Sequence, residues 1–249
     1  MKKVLITGAS SGFGKAIAEK FASAGDKLII TGRRKDLLEK LAQDLQEQYG
    51  VSVVVKVFDV QSREQVFDAL EGDAYLDDVD LLVNNAGLAL GRDYFEDADL
   101  DDWETMIDTN VKGLLYVSKA LLPKLIKRGK GHIINIGSTA GKEVYERGNV
   151  YCATKFSVEA ISQAMRIDLL KHNIKVTVIH PGAAETEFSN VRFKGDLKMA
   201  QSVYEGYHPL KAEDVADTVY YCSSLPEHVC INSVVLTCTA QANSFYLNK

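Results

Sequence analysis

The stretch Lys2–Gly14, KKVLITGASSGFG, decides how this chain is built. Lys2–Thr7 is the short apolar run of a buried strand, and it leads directly into a turn rich in glycine. A periodic apolar helix follows, with Ile17, Ala18, Phe21 and Ala22 on one side. A strand, a glycine-rich turn and a helix N-terminus in this order place backbone amides and the positive end of the helix dipole against a pyrophosphate.

The spacing of the glycines, Gly-x-x-x-Gly-x-Gly, differs from the Gly-x-Gly-x-x-Gly of the standard dinucleotide fingerprint. A P-loop is excluded because Lys15 is followed by Ala16, which leaves no hydroxyl for magnesium. The alternative is a turn whose glycines are purely structural. The strand before the turn and the helix after it favour phosphate binding, by Gly8, Ser10, Ser11, Gly12, Phe13 and Gly14.

The end of the second apolar run indicates which dinucleotide is bound. Lys27–Thr31 is followed by Gly32, Arg33, Arg34 and Lys35. A site that prefers NAD usually has a carboxylate here for the ribose 2′-hydroxyl, whereas planar guanidinium groups suit a phosphate. A solvated basic turn at the start of the next helix is the alternative. We expect NADP rather than NAD, with Arg33 and Arg34 at the 2′-phosphate.

A second pattern carries acid–base chemistry. Tyr151 and Lys155 are four apart, so on a helix the phenol and the ammonium lie on one face. A tyrosine pKa of about 10 is too high for catalysis at neutral pH, and a neighbouring ammonium lowers it. Ser138 ends the apolar run Gly131–Gly137, where a strand would present its hydroxyl to a substrate oxygen. Alone the pair is weak evidence, because Tyr-x-x-x-Lys occurs by chance in many helices.

Five ordered motifs resemble those of the short-chain dehydrogenase/reductase family, over essentially the whole chain. They are Thr7–Gly14, Asn84–Gly87 (NNAG), Asn110, Ser138 with Tyr151 and Lys155, and Pro181-Gly182 with Thr186. Within the family the chain resembles the bacterial NADP-dependent 3-hydroxy acid dehydrogenases, also called serine or allo-threonine dehydrogenases. The stretches that carry this likeness are Asn84–Gly91, Asp102–Asn110, Gly131–Gly141 and Thr186–Asp196.

The resemblance implies an oxidoreductase mechanism for four residues. Tyr151 would exchange a proton with the substrate oxygen, and Ser138 would hydrogen-bond the same oxygen. Lys155 would lower the pKa of Tyr151 and bind the nicotinamide ribose, while Asn110 would hold a water that relays protons. Further cofactor contacts are implied for Asn84, Ala86 and Gly87 at the adenosine ribose, Asp59 and Val60 at adenine, Thr186 at the carboxamide, and Pro181 and Gly182. Asp59 could alternatively be only a polar residue that ends a strand.

Composition excludes several other classes of protein. The 249 residues are 46% apolar and 25% charged, as in an ordinary globular protein. The net charge of −5 argues against a nucleic-acid surface. No stretch approaches the roughly twenty apolar residues of a membrane span. Because the sequence starts directly with a strand, we expect no signal peptide and a cytoplasmic protein. The four cysteines and five histidines are dispersed, so we expect no metal site.

Strand and helix patterns alternate along the chain, which predicts one α/β domain over residues 1–249. We expect a Rossmann-like, doubly wound, seven-stranded parallel sheet with helices on both faces. The predicted strands lie near 2–7, 27–31, 52–58, 79–84, 131–137, 174–180 and 233–237. The predicted helices include 12–24, 35–48, 63–70, 102–127, 151–171 and 212–223.

The segment 186–210 has no clear place in the sheet, and it follows the carboxyl end of the sixth strand, where a lid is expected. Arg192 lies in this segment, and Arg147 lies between Ser138 and Tyr151. A small 3-hydroxy acid needs a cation for its carboxylate, so Arg192, Arg147 or both are candidate substrate contacts. A solvated surface arginine is the alternative for each.

The sequence leaves several functions open beside a 3-hydroxy acid dehydrogenase. A reductase of sulfoacetaldehyde, of 3-oxoacyl thioesters or of neutral ketones would use the same catalytic groups. A non-catalytic NADP-binding regulatory protein is disfavoured by the joint presence of Asn110, Ser138, Tyr151 and Lys155. Helices 111–126 and 151–171 are apolar on more than one face. Because family relatives pack these helices together, we expect a homotetramer.

Overall fold

The computed structural model describes residues 1–249 and contains one seven-stranded sheet, in which all neighbouring strands are parallel. The strands are β1 (Lys3–Ile6), β2 (Lys27–Gly32), β3 (Val53–Val57), β4 (Leu81–Asn84), β5 (Gly131–Ile136), β6 (Ile174–Pro181) and β7 (Ser233–Leu236). Their order is β3-β2-β1-β4-β5-β6-β7. The direction of winding reverses between β1 and β4, which confirms the predicted Rossmann-like sheet.

Nine α-helices connect or flank the strands. They are α1 (Gly12–Ser23), α2 (Lys35–Tyr49), α3 (Arg63–Leu70), α4 (Leu100–Ile107), α5 (Leu114–Arg128), α6 (Asn149–Asp168), α7 (Glu187–Arg192), α8 (Leu197–Ser202) and α9 (Ala212–Ser224). No helix is long and apolar enough to cross a membrane.

The predicted helix 102–127 differs from the structure in two ways. It begins earlier, at Leu100, because the Asp99 carboxylate caps it by accepting from the Asp101 amide at 2.9 Å. It is also interrupted by one π-helical stretch, Asp108–Gly113, which contains the candidate catalytic residue Asn110. Such π segments are often found at functional sites.

The core lies in two layers, one on each face of the sheet. The first packs α1, α2 and α9 against the sheet, with Phe21 fully buried in it. The second packs α3 and α5 against the opposite face. All four residues of β1 are buried, because helices cover both sides of a parallel sheet. This double cover leaves the carboxyl ends of the strands as the place where a site can form.

The segment 186–210 folds as the short helices α7 and α8. It is joined to the rest of the chain by a parallel bridge between Ala184 and Leu210. Below we refer to residues 186–210 as the lid.

Candidate active site

Two adjoining cavities lie at the carboxyl edge of the sheet. The first, of about 330 Å³, extends from the glycine-rich turn to Lys155, and the second, of about 480 Å³, lies between Ser138 and the lid. Tyr151, Thr186 and Phe188 line both cavities. A ligand long enough to occupy the first would therefore present one end to the second, beside Tyr151.

The glycine-rich turn has a backbone that side chains would disrupt. Gly8 and Gly12 have φ values of +66° and +52°, in the region that favours glycine. Gly14 is needed for a different reason, because a Cβ there would lie 2.3 Å from the Gly8 carbonyl oxygen. Ser11, the residue before α1, makes no side-chain cap to the helix, so the first amides of α1 are directed at the cleft without a side-chain partner. This end of the cleft has the geometry that binds phosphate.

Arg34 lies across the mouth of this turn. Its guanidinium donates to the Ser10 hydroxyl from Nε and Nη2, at 3.0 and 2.9 Å, and to the Ser11 hydroxyl at 2.6 Å. It also contacts the Glu187 carboxylate of the lid at 3.2 Å. Arg33 is more exposed and lies 3.5 Å from the Asp59 carboxylate. The two arginines and Ser10 form a cationic corner at the end of β2, which suits a phosphate monoester.

Most of the predicted cofactor residues line the first cavity. These are Gly8, Ser10, Ser11, Gly12, Phe13, Arg33, Arg34, Asp59, Val60, Ala86, Gly87, Tyr151, Lys155 and Thr186. Gly14 does not line it, because this glycine packs α1 against the turn. Pro181 and Gly182 line the second cavity instead. The structure thus brings the phosphate, ribose and arginine positions together in one cleft.

The structure places Asn84 differently from the sequence prediction. Its side-chain amide donates to Ser118 and Asn135, both at 2.9 Å, in a buried polar network under the sheet edge. The next residue, Asn85, lines the cleft and donates to the Thr7 carbonyl at 2.8 Å. Asn84 is the last residue of β4 and Asn85 follows it, and the structure directs Asn84 into the buried network and Asn85 toward the cleft.

The three central residues of the predicted chemistry do come together. Tyr151 and Lys155, on one face of α6, are both buried, and the Lys155 Nζ lies 5.9 Å from the centre of the Tyr151 ring. Lys155 donates to the Ile136 carbonyl at 3.0 Å, which fixes its ammonium beside the end of β5. Ser138 follows β5 and lines the same cavity as Tyr151.

The pKa of Tyr151 differs from the sequence expectation. Burial raises this pKa above 10, and the neighbouring Tyr145 raises it further, while Ser138 and the Arg192 guanidinium act in the opposite direction. Burial also lowers the pKa of Lys155 from 10.5 to about 8. Burial therefore sets the direction of both pKa values in the protein alone, and the lowering of the Tyr151 pKa by Lys155 stays a prediction.

Asn110 lies in the π-helical stretch between α4 and α5. Its amide donates to the Leu88 carbonyl at 2.8 Å and to Thr154 at 3.0 Å, and its carbonyl accepts from the Leu88 amide at 2.8 Å. Asn110 therefore fixes the loop after β4 against α6. The water-holding role implied by the resemblance stays a prediction.

The structure separates the two candidate substrate arginines. Arg192 donates from Nε to the Gly91 carbonyl at 3.2 Å and from Nη1 to the Tyr145 hydroxyl at 3.0 Å. Its guanidinium lies 5.5 Å from the centre of the Tyr151 ring. Arg147 also borders the second cavity, but it is exposed and stacks on Tyr94 at 4.2 Å. Only Arg192 is held beside Tyr151.

Sequence reasoning did not identify two aromatic residues of the second cavity. Tyr145 is half-buried and packs against Arg192, and Phe188 lies 5.7 Å from Tyr151, measured between ring centres. No motif distinguishes Tyr145 from the other tyrosines. Phe188 lies two residues after Thr186, a predicted cofactor residue. This proximity in the sequence is the one signal that could have identified Phe188 as a residue of the site.

The first cavity fits a dinucleotide that carries a 2′-phosphate. A glycine turn without side chains, amides at the N-terminus of α1 and the cationic corner match the pyrophosphate and the additional phosphate. His, Cys, Asp and Glu side chains form no group of three that could hold a metal ion.

Comparison with known proteins agrees with this geometry. The family model described as short chain dehydrogenase matches residues 2–196. The chain is 46% identical over 241 residues, 96% of each protein, to the NADP-dependent 3-hydroxy acid dehydrogenase YdfG of Salmonella typhi. It is also 46% identical to sulfoacetaldehyde reductase 2 of Chromohalobacter salexigens, over 98% of this chain and 96% of that protein. The closed form of a serine dehydrogenase complexed with NADP⁺ superposes with a TM-score of 0.92, at 45% identity and 97% coverage of both chains.

Proposed function

The chain belongs to the short-chain dehydrogenase family, and within that family we propose that it interconverts a small 3-hydroxy acid and the corresponding 3-oxo acid or semialdehyde. It is an NADP-dependent oxidoreductase that acts on a hydroxyl-bearing carbon. The proposed substrates are of the serine, allo-threonine or 3-hydroxypropionate type. The relatives named 3-hydroxy acid dehydrogenase and serine dehydrogenase support this class.

The observation that carries the proposal is the position of Arg192. Its guanidinium is anchored by Gly91 and Tyr145, and it lies 5.5 Å from the Tyr151 ring. Nη2 makes no hydrogen bond within the protein, so it can donate to a carboxylate in the cavity. A substrate held there by a carboxylate would place a hydroxyl two carbons away near Tyr151. Small 3-hydroxy acids have this separation between charge and reacting carbon.

We assign the proton chemistry to four side chains. Tyr151 exchanges the proton of the substrate oxygen, and the Ser138 hydroxyl donates a hydrogen bond to the same oxygen. The Lys155 ammonium faces Tyr151 and the ribose position of the cleft. When the cofactor is bound by Tyr151 and Lys155, this positive charge stabilises the phenolate of Tyr151. NADP, when bound, supplies or accepts the hydride. Asn110 holds a water next to Lys155 through which the proton reaches solvent.

The remaining predicted residues are assigned to cofactor binding. The glycine-rich turn holds the pyrophosphate, and Arg33 and Arg34 hold the 2′-phosphate. Asp59 and Val60 border the adenine position, while Ala86, Gly87 and Thr186 border the ribose and carboxamide positions. Gly87 leaves space for the cofactor because it has no side chain. A Cβ on Gly87 would lie 3.1 Å from Asn110 and 3.5 Å from Lys155 Nζ, inside the cleft.

The test is an NADPH absorbance assay with L-serine, L-allo-threonine, 3-hydroxypropionate and a neutral secondary alcohol. Each substrate is combined with NADP⁺ and with NAD⁺, and Tyr151→Phe is the matched inactive control. We expect turnover of the hydroxy acids with NADP⁺. Turnover of the neutral alcohol alone would overturn the proposed substrate class while leaving the catalytic assignment intact.

A second candidate is reduction of sulfoacetaldehyde. A relative of 46% identity carries that name, and a guanidinium binds a sulfonate as it binds a carboxylate. Competition between sulfoacetaldehyde and 3-oxo acids, with NADPH as cosubstrate, ranks the two by kcat/KM. Reduction of 3-oxoacyl thioesters, reduction of neutral ketones and a non-catalytic NADP-binding role are less well supported, because none of the three uses Arg192.

We also propose that the chain forms a homotetramer in the cytoplasm. Apolar side chains on the outer faces of α5 and α6 and just after α6 are exposed, among them Leu115, Phe156, Ile167 and Leu170. Exposed apolar surface of this kind marks an association surface. Sedimentation velocity over a dilution series tests this, and a monomer at every concentration would contradict it.

A further inference from the structure

His180 is a fully buried histidine directly behind Ser138, and the chemistry assigned above does not use it. It lies near the carboxyl end of β6, next to β5, the strand that Ser138 follows. Its Nδ1 lies 2.9 Å from the Ser138 carbonyl oxygen, and its Nε2 lies 2.7 Å from a Glu159 carboxylate oxygen on α6. One imidazole thus links α6, the helix that carries Tyr151 and Lys155, to the backbone of Ser138.

The sheet itself does not fix Ser138. The register of β5 with β6 ends at Ile136 and Ile179, and the last backbone bond beyond it is from the Gly137 amide to Ile179. The Ser138 carbonyl then accepts from Gly141 at 2.8 Å, a bond within its own short turn. His180 therefore provides the contact from β6 to Ser138.

The neighbouring glycine is shaped for this contact. A Cβ on Gly137 would lie 2.6 Å from His180 Nδ1 and 3.0 Å from the Val178 side chain. An imidazole can lie against residue 137 only if that residue has no side chain. Gly137 and His180 are thus sterically matched.

Both partners of His180 accept hydrogen bonds. A backbone carbonyl only accepts, and so does an ionised carboxylate. Burial raises the pKa of Glu159, but hydrogen bonds from Gln163, His180 and Lys142 outweigh it and hold this pKa below its usual value. Two hydrogens are therefore needed, one on Nδ1 for Ser138 and one between Nε2 and Glu159.

The charged groups around the imidazole are few. Glu159 faces it from α6, and Lys142, which follows the turn after Ser138, lies 3.2 Å from the same carboxylate oxygen. Burial, the largest influence, and Lys142 hold the pKa of His180 below 6.5, while the bonds to Ser138 and Glu159 act in the opposite direction. The short distances from both ring nitrogens to accepting oxygens, and not the titration, are therefore what points to a second hydrogen between Nε2 and Glu159.

We propose that His180 is a positioning residue for Ser138, that it donates from Nδ1 to the Ser138 carbonyl, and that the Glu159 carboxylate holds it there through a shared proton. This inference rests on the proposed role of Ser138. The pair would set the direction of the Ser138 hydroxyl toward the substrate oxygen without touching substrate or cofactor.

Two substitutions at residue 180 separate its two hydrogen bonds. His180→Asn keeps an amide donor near the position of Nδ1, whereas His180→Gln keeps one near Nε2 and loses the bond to Ser138. We expect His180→Gln to lower kcat by about tenfold or more, since a displacement of about 1 Å can cost roughly 100-fold. His180→Asn should retain most of the rate, and KM and the Kd for NADP⁺ should change by less than about twofold in both.

Three controls keep the outcome interpretable. Ser138→Ala tests the proposed function: if it is inactive while His180→Gln is fully active, only the inference about His180 fails. His132→Gln removes another buried imidazole, at the amino end of β5, and should leave kcat unchanged. Gly137→Ala crowds the imidazole without removing it, so it should reproduce the loss of kcat even if the residue 180 variants fold poorly.

The shared proton has its own readout. In a ¹⁵N-histidine NMR spectrum at neutral pH, with His180→Asn used for assignment, we expect hydrogen on Nδ1 and a shared hydrogen at Nε2. Glu159→Gln should change the Nε2 signal and leave Nδ1 protonated. An Nε2 without hydrogen in the wild-type protein, or equal rates for His180→Asn and His180→Gln, would overturn the proposal.

Discussion

The guanidinium of Arg192 donates to the hydroxyl of Tyr145 over 3.0 Å, and this bond joins the lid to the loop before α6. The same guanidinium faces the Tyr151 ring and partly offsets the rise that burial causes in the pKa of that residue. A substrate anion bound by Arg192 would therefore reduce the cationic influence on Tyr151. One side chain thus connects the lid, Tyr151 and the proposed substrate site.

Replacement of Arg192 tests the anion site. We expect Arg192→Met to raise KM for a hydroxy acid by about tenfold or more, because a hydrogen bond to a charged group contributes about 1.5–3 kcal/mol. KM for a neutral alcohol should change far less. Arg147→Met is the matched control, since Arg147 stacks on Tyr94 at the exposed rim. Similar changes for the acid and the neutral alcohol in Arg192→Met would contradict the assignment.

Arg34 should decide the preference between the two nicotinamide dinucleotides. We expect Arg34→Ala to weaken NADP⁺ binding by about tenfold or more, because a charge-assisted contact to phosphate is lost. Binding of NAD⁺, which has no 2′-phosphate, should be almost unchanged. Fluorescence titration with both cofactors measures the ratio. An equal loss for NADP⁺ and NAD⁺ would mean that Arg34 acts through the turn around Ser10 and not through the phosphate.

The Glu187 carboxylate competes with a phosphate for Arg34, from which it lies 3.2 Å away. We therefore expect Glu187→Gln to strengthen NADP⁺ binding by up to about fivefold, the scale of an exposed ion pair. The same titration at low and high salt checks this, since the gain should shrink as salt screens the charges. Weaker binding in Glu187→Gln would show that the lid contact supports the cofactor site instead.

Burial of Lys155 costs stability. Its pKa falls from 10.5 to about 8 on folding, so between these values the unfolded chain binds more protons and wild-type stability rises with pH. At neutral pH the cost is roughly 3 kcal/mol, at 1.36 kcal/mol per pH unit. We expect Lys155→Met to unfold at higher denaturant concentration than wild type at pH 7, and to have lost its activity. The difference in the free energy of unfolding between Lys155→Met and wild type should shrink to roughly half near pH 9.5. If Lys155→Met were less stable than wild type at pH 7, the prediction that burial of Lys155 costs stability would be contradicted.

Gly14 should tolerate no side chain. The Cβ of Gly14→Ala would meet the Gly8 carbonyl at 2.3 Å and the Asn85 amide at 2.5 Å, and the first of these atoms is backbone. We expect a loss of about 1–3 kcal/mol or more in the free energy of unfolding, measured in urea. Gly72→Ala is the matched control, because nothing lies within 4 Å of its Cβ position. Equal midpoints for the two variants would argue against the close approach of α1 to the turn.

Much of the fold could be predicted from local patterns. All seven strands occur where apolar runs predicted them, and the turn at Gly8 leads into α1 as expected. These features depend on short-range rules: continuous apolar runs form buried parallel strands, and glycines accept positive φ values. The interruption of the helix around Asn110 was not predictable, because a π stretch depends on how the loop at Leu88 packs against α6.

The candidate site was predicted in part. The sequence by itself determined which residue types form the cofactor cleft and that Tyr151 and Lys155 share a helix face, since spacing along a strand or helix fixes these relations. Only the tertiary structure decided that Asn85 rather than Asn84 faces the cleft, that Arg192 rather than Arg147 lies beside Tyr151, and that burial raises the pKa of Tyr151. It also decided that His180 lies behind Ser138. Each of these depends on which distant segments pack together and how much water they exclude, and spacing along one segment contains no information about that.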